Sequence, residues 1–356
     1  MNQPLLATAS LTLAAAFALG FAAQRPDSGG VQAGLGYVSS AQDAPDVDGV
    51  DVVLDSAHSR FAGVKDGANA DYIPVLAEVD SELFAIALVT VDGEVHVVGD
   101  GEARFSIQSI SKVFSMAQVL SQLGPDALLE GIGVDATGRP FNSIIAIEEF
   151  QGREMNPLVN AGAITTTGMI PGADADAIFA SILANLSGYA GRELDVDLAV
   201  CASELASNQR NQAIGALMHA YGLIDDHYER AVEVYTRQCS VSVDTKDLAV
   251  MAGTLANGGK NPVTKRQVLD PELVPRVLAV MATAGLYDDS GKWLFSSGLP
   301  AKSGVGGGII AVSPGRFGIA AFSPRLDAAG NSVRAQLAIR AVSDALDGNP
   351  YHVTPR

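Results

Sequence analysis

Residues 105–114 read Phe-Ser-Ile-Gln-Ser-Ile-Ser-Lys-Val-Phe and open a segment of helical spacing, with Ile110, Val113, Phe114 and Ala117 at i, i+3, i+4 and i+7. A helix is predicted over Ser109–Leu123, stopped by Gly124-Pro125. Just upstream, Leu83–Val91 (LFAIALVTV) is rich in strand formers, Asp92-Gly93 is a two-residue turn, and Glu94–Gly99 (EVHVVG) alternates. That pair reads as a β-hairpin. Strand signals then nearly vanish from about Asp126 to Ala284, where Asn211–Tyr221, Thr245–Asn257 and Leu273–Ala284 carry helical stripes. They return at Gly308–Val312 and Phe317–Phe322, separated by Pro314-Gly315, and a helix over Val333–Leu346 follows. Strands near both ends of the chain with a helical block between them predict an α+β fold. One sheet is built from both chain ends, and an all-helical domain is inserted into it. The expected parts are 1–50 as an N-terminal extension, 51–124 with 285–356 as the sheet-containing domain, and 125–284 as the helical domain.

The same stretch is where chemistry is expected. Ser109 and Lys112 are three apart at a helix start, so their side chains share a face. This suits a serine nucleophile with a lysine base, because burial disfavours the ammonium and can bring a lysine down from about 10.4 toward neutrality. The amino terminus of a helix also offers unpaired N–H groups to a developing oxyanion. A lone Ser-x-x-Lys is a short pattern that arises often by chance, and by itself it reads as a helix cap followed by a solvated lysine. A second element strengthens it: Lys302-Ser303-Gly304-Val305-Gly306-Gly307-Gly308-Ile309 stands before a predicted strand. Lys-Ser-Gly leading into a strand accompanies Ser-x-x-Lys in serine enzymes.

Composition narrows the alternatives. The chain of 356 residues carries 40 acidic against 23 basic side chains, a net charge of −17, with no basic cluster. An acidic field of that size repels phosphate backbones and anionic lipid heads, which argues against nucleic-acid and membrane partners. Cys201 and Cys239 are too few for a disulfide scaffold or a thiolate site, and the five histidines have no ligand spacing, so no metal is expected. Leu5–Ala23 is uncharged and Ala-rich and ends in small residues, as an exported leader does, although MNQP brings no Lys or Arg before it. Export to the periplasm or medium is the favoured expectation, with a cytoplasmic location as the alternative.

Seven ordered segments between Tyr72 and Val333 carry a resemblance: Tyr72-Ile73-Pro74, FSIQSISKVF (105–114), NPLVNAGAI (156–164), Glu204 with Arg210-Asn211, YTRQCSV (235–241), GLYDDSGKW (285–293) and KSGVGGGI (302–309). With these the chain resembles the bacterial glutaminase family, relatives of the serine β-lactamases and DD-peptidases. The resemblance implies a β-lactamase-like fold, hydrolysis of L-glutamine to L-glutamate and ammonia, no cofactor, and a homo-oligomer, dimer or tetramer. It implies Ser109 as nucleophile, Lys112 as its partner, and Tyr72 and Tyr287 at the reaction centre. Backbone N–H groups of Ser109 and Val305 would form the oxyanion hole, and Asn160, Glu204, Asn211 and Tyr235 would hold the amino-acid end of the substrate. Taken singly, Asn160 reads better as a helix cap, Glu204 and Asn211 as a solvated pair on one helical face, and Tyr235 and Tyr287 as half-buried core; their ordered co-occurrence reverses that. The rival enzyme, a β-lactamase or DD-peptidase, needs a Ser/Tyr-x-Asn triplet where this chain has NPLVNAGAI. The non-enzyme rival is a substrate-binding sensor on the same fold, which would lack the lysine or the oxyanion glycines.

Overall fold

The computed structural model describes residues 47–153 and 155–353. The leader expected at residues 5–23, and most of the extension 1–50, lie outside the described residues.

Five antiparallel strands form the main sheet: β1 (Ala85–Thr90), β2 (Val95–Gly99), β6 (Ala301–Ser303), β7 (Gly308–Ser313) and β8 (Phe317–Phe322), in the order β2-β1-β8-β7-β6. The expected hairpin is β1–β2, with Ala87 opposite Val97. The two chain ends meet at β1–β8, with Leu88 opposite Ile319. β1, β7 and β8 are buried on both faces. Their side chains divide with period two. Ile86, Leu88, Ile309, Ala311, Ile319 and Ala321 join one core with the helices Val47–Phe61 and Val333–Ala345. Ala87, Val89, Ile310, Val312, Ala320 and Phe322 join another with the helix Thr245–Ala256. That helix lies inside the segment 125–284 yet packs on the sheet. Its approach is close because Gly318 has no side chain: a Cβ there would stand 2.0 Å from the Gly253 nitrogen.

A second, small sheet ties the helical segment to the nucleophile turn. β3 (Phe105–Ser106), β4 (Asp195–Val196) and β5 (Val241–Val243) align in the order β3-β5-β4, and Ile107 N donates to Val241 O at 2.8 Å. At two and three residues, β4 and β5 are too short to leave an alternating pattern, which is why the sequence reads as strand-poor there. The helix predicted from Ser109 begins as a 3-10 turn, Gln108–Ile110, and becomes α-helical over Ser111–Leu123, ending at Gly124 as expected. Ser111 through Leu120 are all buried, packed against the helices Asn160–Met169 and Ala175–Ala190.

Candidate active site

The 3-10 turn presents Ser109 at the wall of a cavity of about 100 Å³. Gln108 enters that turn with φ +50°, a conformation uncommon for a side chain other than glycine and concentrated at functional sites. The turn is braced by the loop after β6. A Cβ on Gly304 would come within 2.9 Å of Ile107 O, and one on Gly306 within 2.7 Å of Ser106 O. Only glycine lets that loop, and with it the Val305 backbone, lie against the nucleophile turn.

Of the nine expected site residues, seven line the cavity: Tyr72, Ser109, Asn160, Glu204, Asn211, Tyr235 and Val305. The other two, Lys112 and Tyr287, are buried and stand outside its wall. Lys112 is 1% exposed; its Nζ donates to Asn160 Oδ1 at 2.7 Å and to Leu158 O at 3.3 Å. A neutral amine has two N–H donors and one lone pair, so two acceptors saturate its donors and leave the lone pair free. Burial lowers the Lys112 amine to about 7, with Cys239 acting in the opposite direction. Burial also holds Lys302 well below its ordinary value, with Lys112 adding like-charge repulsion. The Lys302 Nζ donates to Ser303 O at 2.6 Å and lies 4.1 Å from the Tyr287 ring centroid.

Tyr287 is itself strained, at φ +58°, and its ring packs against Phe141 with centroids 4.6 Å apart. Burial raises its phenol to about 12, while hydrogen bonding to Ser109 and Ser303 pulls the other way. Tyr72 is 52% exposed, yet its phenol is pushed above the usual range by desolvation and by Tyr287 and Glu204. The two facts agree if the ring edge meets solvent and the hydroxyl faces the cavity.

Glu204 is buried and desolvation raises its carboxyl to about 7, partly offset by a hydrogen bond from Gln108. Gln108 Nε2 reaches Glu204 Oε1 at 2.5 Å and Ser106 Oγ at 3.0 Å. Glu204 and Asn211 do not share one helix, as their spacing of seven implies. The chain breaks at Asn208, so Glu204 lies in the last turn of the helix Leu198–Ser207 and Asn211 in the first turn of Gln209–Ala220. Asn160 is the hub. Its Oδ1 accepts from Lys112 and, at 3.3 Å, from Tyr235 OH, and its Nδ2 donates to Asn211 Oδ1 at 2.9 Å.

Two residues were quoted within motifs but given no role by sequence reasoning. Gln108 orients Glu204; only its place directly before Ser109 hinted at this. Arg210, whose Nε donates to Asn142 O at 3.0 Å, is the single cation among the side chains lining the cavity. Cys239 also lines the cavity, but burial raises its thiol to about 12, so it stays protonated. Among the described residues no group of three or more His, Cys, Asp or Glu is placed to hold a metal, and no helix is long and apolar enough to cross a membrane.

The arrangement is a serine hydroxyl on the wall of a small cavity, a buried lysine one turn further along the same helical segment, and a carboxyl group and amides on the same wall as the serine. It is equipped for acyl transfer on a small substrate with a cationic end. The family profile described as Glutaminase matches residues 67–351. A glutaminase of Colwellia psychrerythraea is 50% identical over 299 residues, 84% of this chain and 96% of the relative. One of Brucella canis is 47% identical over 304 residues, 85% and 96%. Among solved structures, one described as probable glutaminase ybaS superposes with a TM-score of 0.85 at 45% identity, over 86% of this chain and all of that one. Mglu in its L-glutamate binding form superposes with a TM-score of 0.81 at 38% identity, over 86% and 69%.

Proposed function

The chain belongs to the glutaminase family, with the β-lactamase-like fold of its structural neighbours, and from that premise we propose that it hydrolyses L-glutamine to L-glutamate and ammonia through an acyl-enzyme on Ser109. The observation that carries the reading is Lys112, fully buried, held to about 7 and one turn after a serine on the cavity wall.

In this mechanism the ammonium of the substrate pairs with the Glu204 carboxylate. Its α-carboxylate meets the amide and phenol donors of Asn160, Asn211 and Tyr235, with Arg210 nearby. Fixing both charges places the side-chain amide against Ser109, so attack is effectively intramolecular. The Ser109 Oγ–carbon bond forms as its proton passes to the free lone pair of Lys112. Charge on the carbonyl oxygen is met by the N–H groups of Ser109 and Val305; one such donor is worth about 3 kcal/mol. Tyr287 and Tyr72, phenols that stay protonated at neutral pH, relay a proton to the departing nitrogen, and ammonia leaves. Water then cleaves the γ-glutamyl ester and restores the serine. The site would lie where the sheet-containing parts, 51–124 and 285–356, meet the helical part 125–284. The family resemblance also supports a homo-oligomer, dimer or tetramer, which light scattering on the full chain would test.

Ser109→Ala tests the reading. Ammonia release is lost while glutamine binding, measured by calorimetry, is largely kept. Ammonia release that survives the change removes Ser109 from the mechanism. Turnover of a chromogenic cephalosporin in place of glutamine would assign the site to the β-lactamase side of the fold.

A further inference from the structure

A second cavity, of about 460 Å³, lies against the first and shares Tyr72, Phe141 and Val305 with it. Its remaining walls come from two loops, residues 67–71 and 326–330.

The shared walls say which end of a bound substrate it meets. Glu204, Asn211 and Tyr235, which take the amino-acid end, do not border it, whereas Val305 does. Gly330, on its floor, is as close: a Cβ there would lie 3.7 Å from Val305 and 3.8 Å from the Tyr287 ring. Ser109 and Tyr287 do not border it either, so the two cavities meet at Tyr72, Phe141 and Val305, the wall that carries one relay phenol and one oxyanion donor of the proposed mechanism.

Its lining also limits what it can hold. The ionisable side chains bordering it are Asp71, Tyr72 and Asp327, with no Lys, Arg or His. The Asp327 carboxylate is taken up by its own loop, accepting from Ala329 N and Asn331 N at 3.0 Å and from Gln336 Nε2 at 2.8 Å. What remains is alanine and glycine with Val305, Leu326, the Phe141 ring and one neutral amide, Asn69. An anionic group would be unpaired there, and a hydrocarbon group would be covered in part by apolar walls.

We propose that this cavity is a leaving-group subsite for an uncharged alkyl or aryl substituent on the amide nitrogen. The enzyme then cleaves N-substituted γ-glutamyl amides to glutamate and a primary amine. The inference rests on the acyl-enzyme reading of the first cavity. The Ser109 Oγ–carbon bond forms and the carbon–nitrogen bond breaks. The nitrogen leaves as R–NH2 carrying the serine proton, and water hydrolyses the ester, returning a proton to Ser109.

The test uses the full chain with three substrates: L-glutamine, L-γ-glutamyl-n-propylamide and L-γ-glutamylglycine. The propylamide is cleaved with a kcat/KM within about tenfold of that for glutamine. The glycine derivative, whose carboxylate faces Asp71 and Asp327, is about tenfold or more below the propylamide. Filling the cavity from each of its two loops, by Ala329→Phe and separately by Ala68→Phe, lowers kcat/KM for the propylamide by about tenfold and leaves glutamine within about twofold. An enzyme that turns over glutamine but not the propylamide overturns the proposal. So does equal use of the glycine derivative, or filling variants that lower both amides together. An enzyme that cleaves none of the three takes down the hydrolytic reading and the subsite with it.

Discussion

Lys112 Nζ donates to Asn160 Oδ1 at 2.7 Å, and the Asn160 amide donates in turn to Asn211 on the cavity wall. One side chain thus links the amine behind the nucleophile to the place where a substrate would be gripped. The acceptor is a neutral amide, which holds the amine in position without stabilising its protonated form as a carboxylate would. Asn160→Asp keeps the shape and changes that one property. An opposite charge at this range raises an amine by about 1–3 pH units. The acidic limb of the pH–kcat profile moves upward by at least about one unit, and activity at neutral pH falls while folding persists. An unmoved limb means that Lys112 is not the titrating base.

Two groups of the site sit near neutrality for opposite reasons: burial lowers Lys112 to about 7 and raises Glu204 to about 7. Catalysis needs the first uncharged and the second ionised, so both must lose a proton as the pH rises. In the free enzyme kcat/KM therefore falls below pH 7 with a slope of about two, whereas kcat falls with a slope of about one, because bound ammonium keeps Glu204 ionised. Equal slopes in the two profiles would contradict the pairing of Glu204 with the ammonium.

The same shifts bear on stability. From about pH 4.5 to 7 the folded chain keeps a proton on Glu204 that the unfolded chain has lost, so this group's contribution declines as pH rises. From about pH 7 to 10.5 the unfolded chain keeps a proton on Lys112 that the folded chain lacks, so stability recovers with pH. Glu204→Gln flattens the first limb and Lys112→Met the second, read as denaturation midpoints at pH 5, 7 and 9. A limb that survives its variant belongs to another group.

What the sequence reveals and what it hides divides along physical lines. The β1–β2 hairpin, the sheet from both chain ends and the buried helix after Ser109 follow from alternation, helical stripes and turn residues, which are local signals. The Lys302-Ser303-Gly304 element is legible because glycine packing and a short motif coincide. The break at Asn208 is not legible, since the polar run Ser207–Gln212 around it carries no glycine or proline to mark an end, and it is what places Glu204 and Asn211 on different helices. The Gln108–Glu204 bond is invisible for another reason: it joins residues 96 apart through a backbone angle that no residue type announces.

That bond can be tested directly. Gln108 donates to Glu204 and steadies a carboxylate that burial would otherwise keep protonated. A hydrogen bond to a charged group is worth about 1.5–3 kcal/mol, so Gln108→Ala raises KM for glutamine by about tenfold or more. Its kcat/KM profile shifts to higher pH. Gln108→Glu, which repels Glu204, is worse still. A Gln108→Ala enzyme with unchanged KM and profile would leave the residue a purely structural part of the turn.

The contact between β8 and the helix Thr245–Ala256 makes the last prediction, one of stability and not of chemistry. An added methyl on Gly318 would sit 2.0 Å from Gly253 N and 2.3 Å from the Ala252 carbonyl carbon. Both are backbone atoms, so no rotamer relieves the clash, and the helix must lift from a face that carries Leu248, Met251, Ala252 and Leu255 into the core. Gly318→Ala therefore loses about 3 kcal/mol, at the upper end of overpacking penalties. Gly291→Ala is the control: it is an exposed position of the helix Ser290–Ser297, with nothing within 4 Å of its Cβ. That change gains about 0.5–1 kcal/mol from the lower entropy cost of ordering alanine. Urea midpoints of the two variants should move in opposite directions; a Gly318→Ala protein as stable as its parent would mean that the sheet and this helix do not approach so closely in solution.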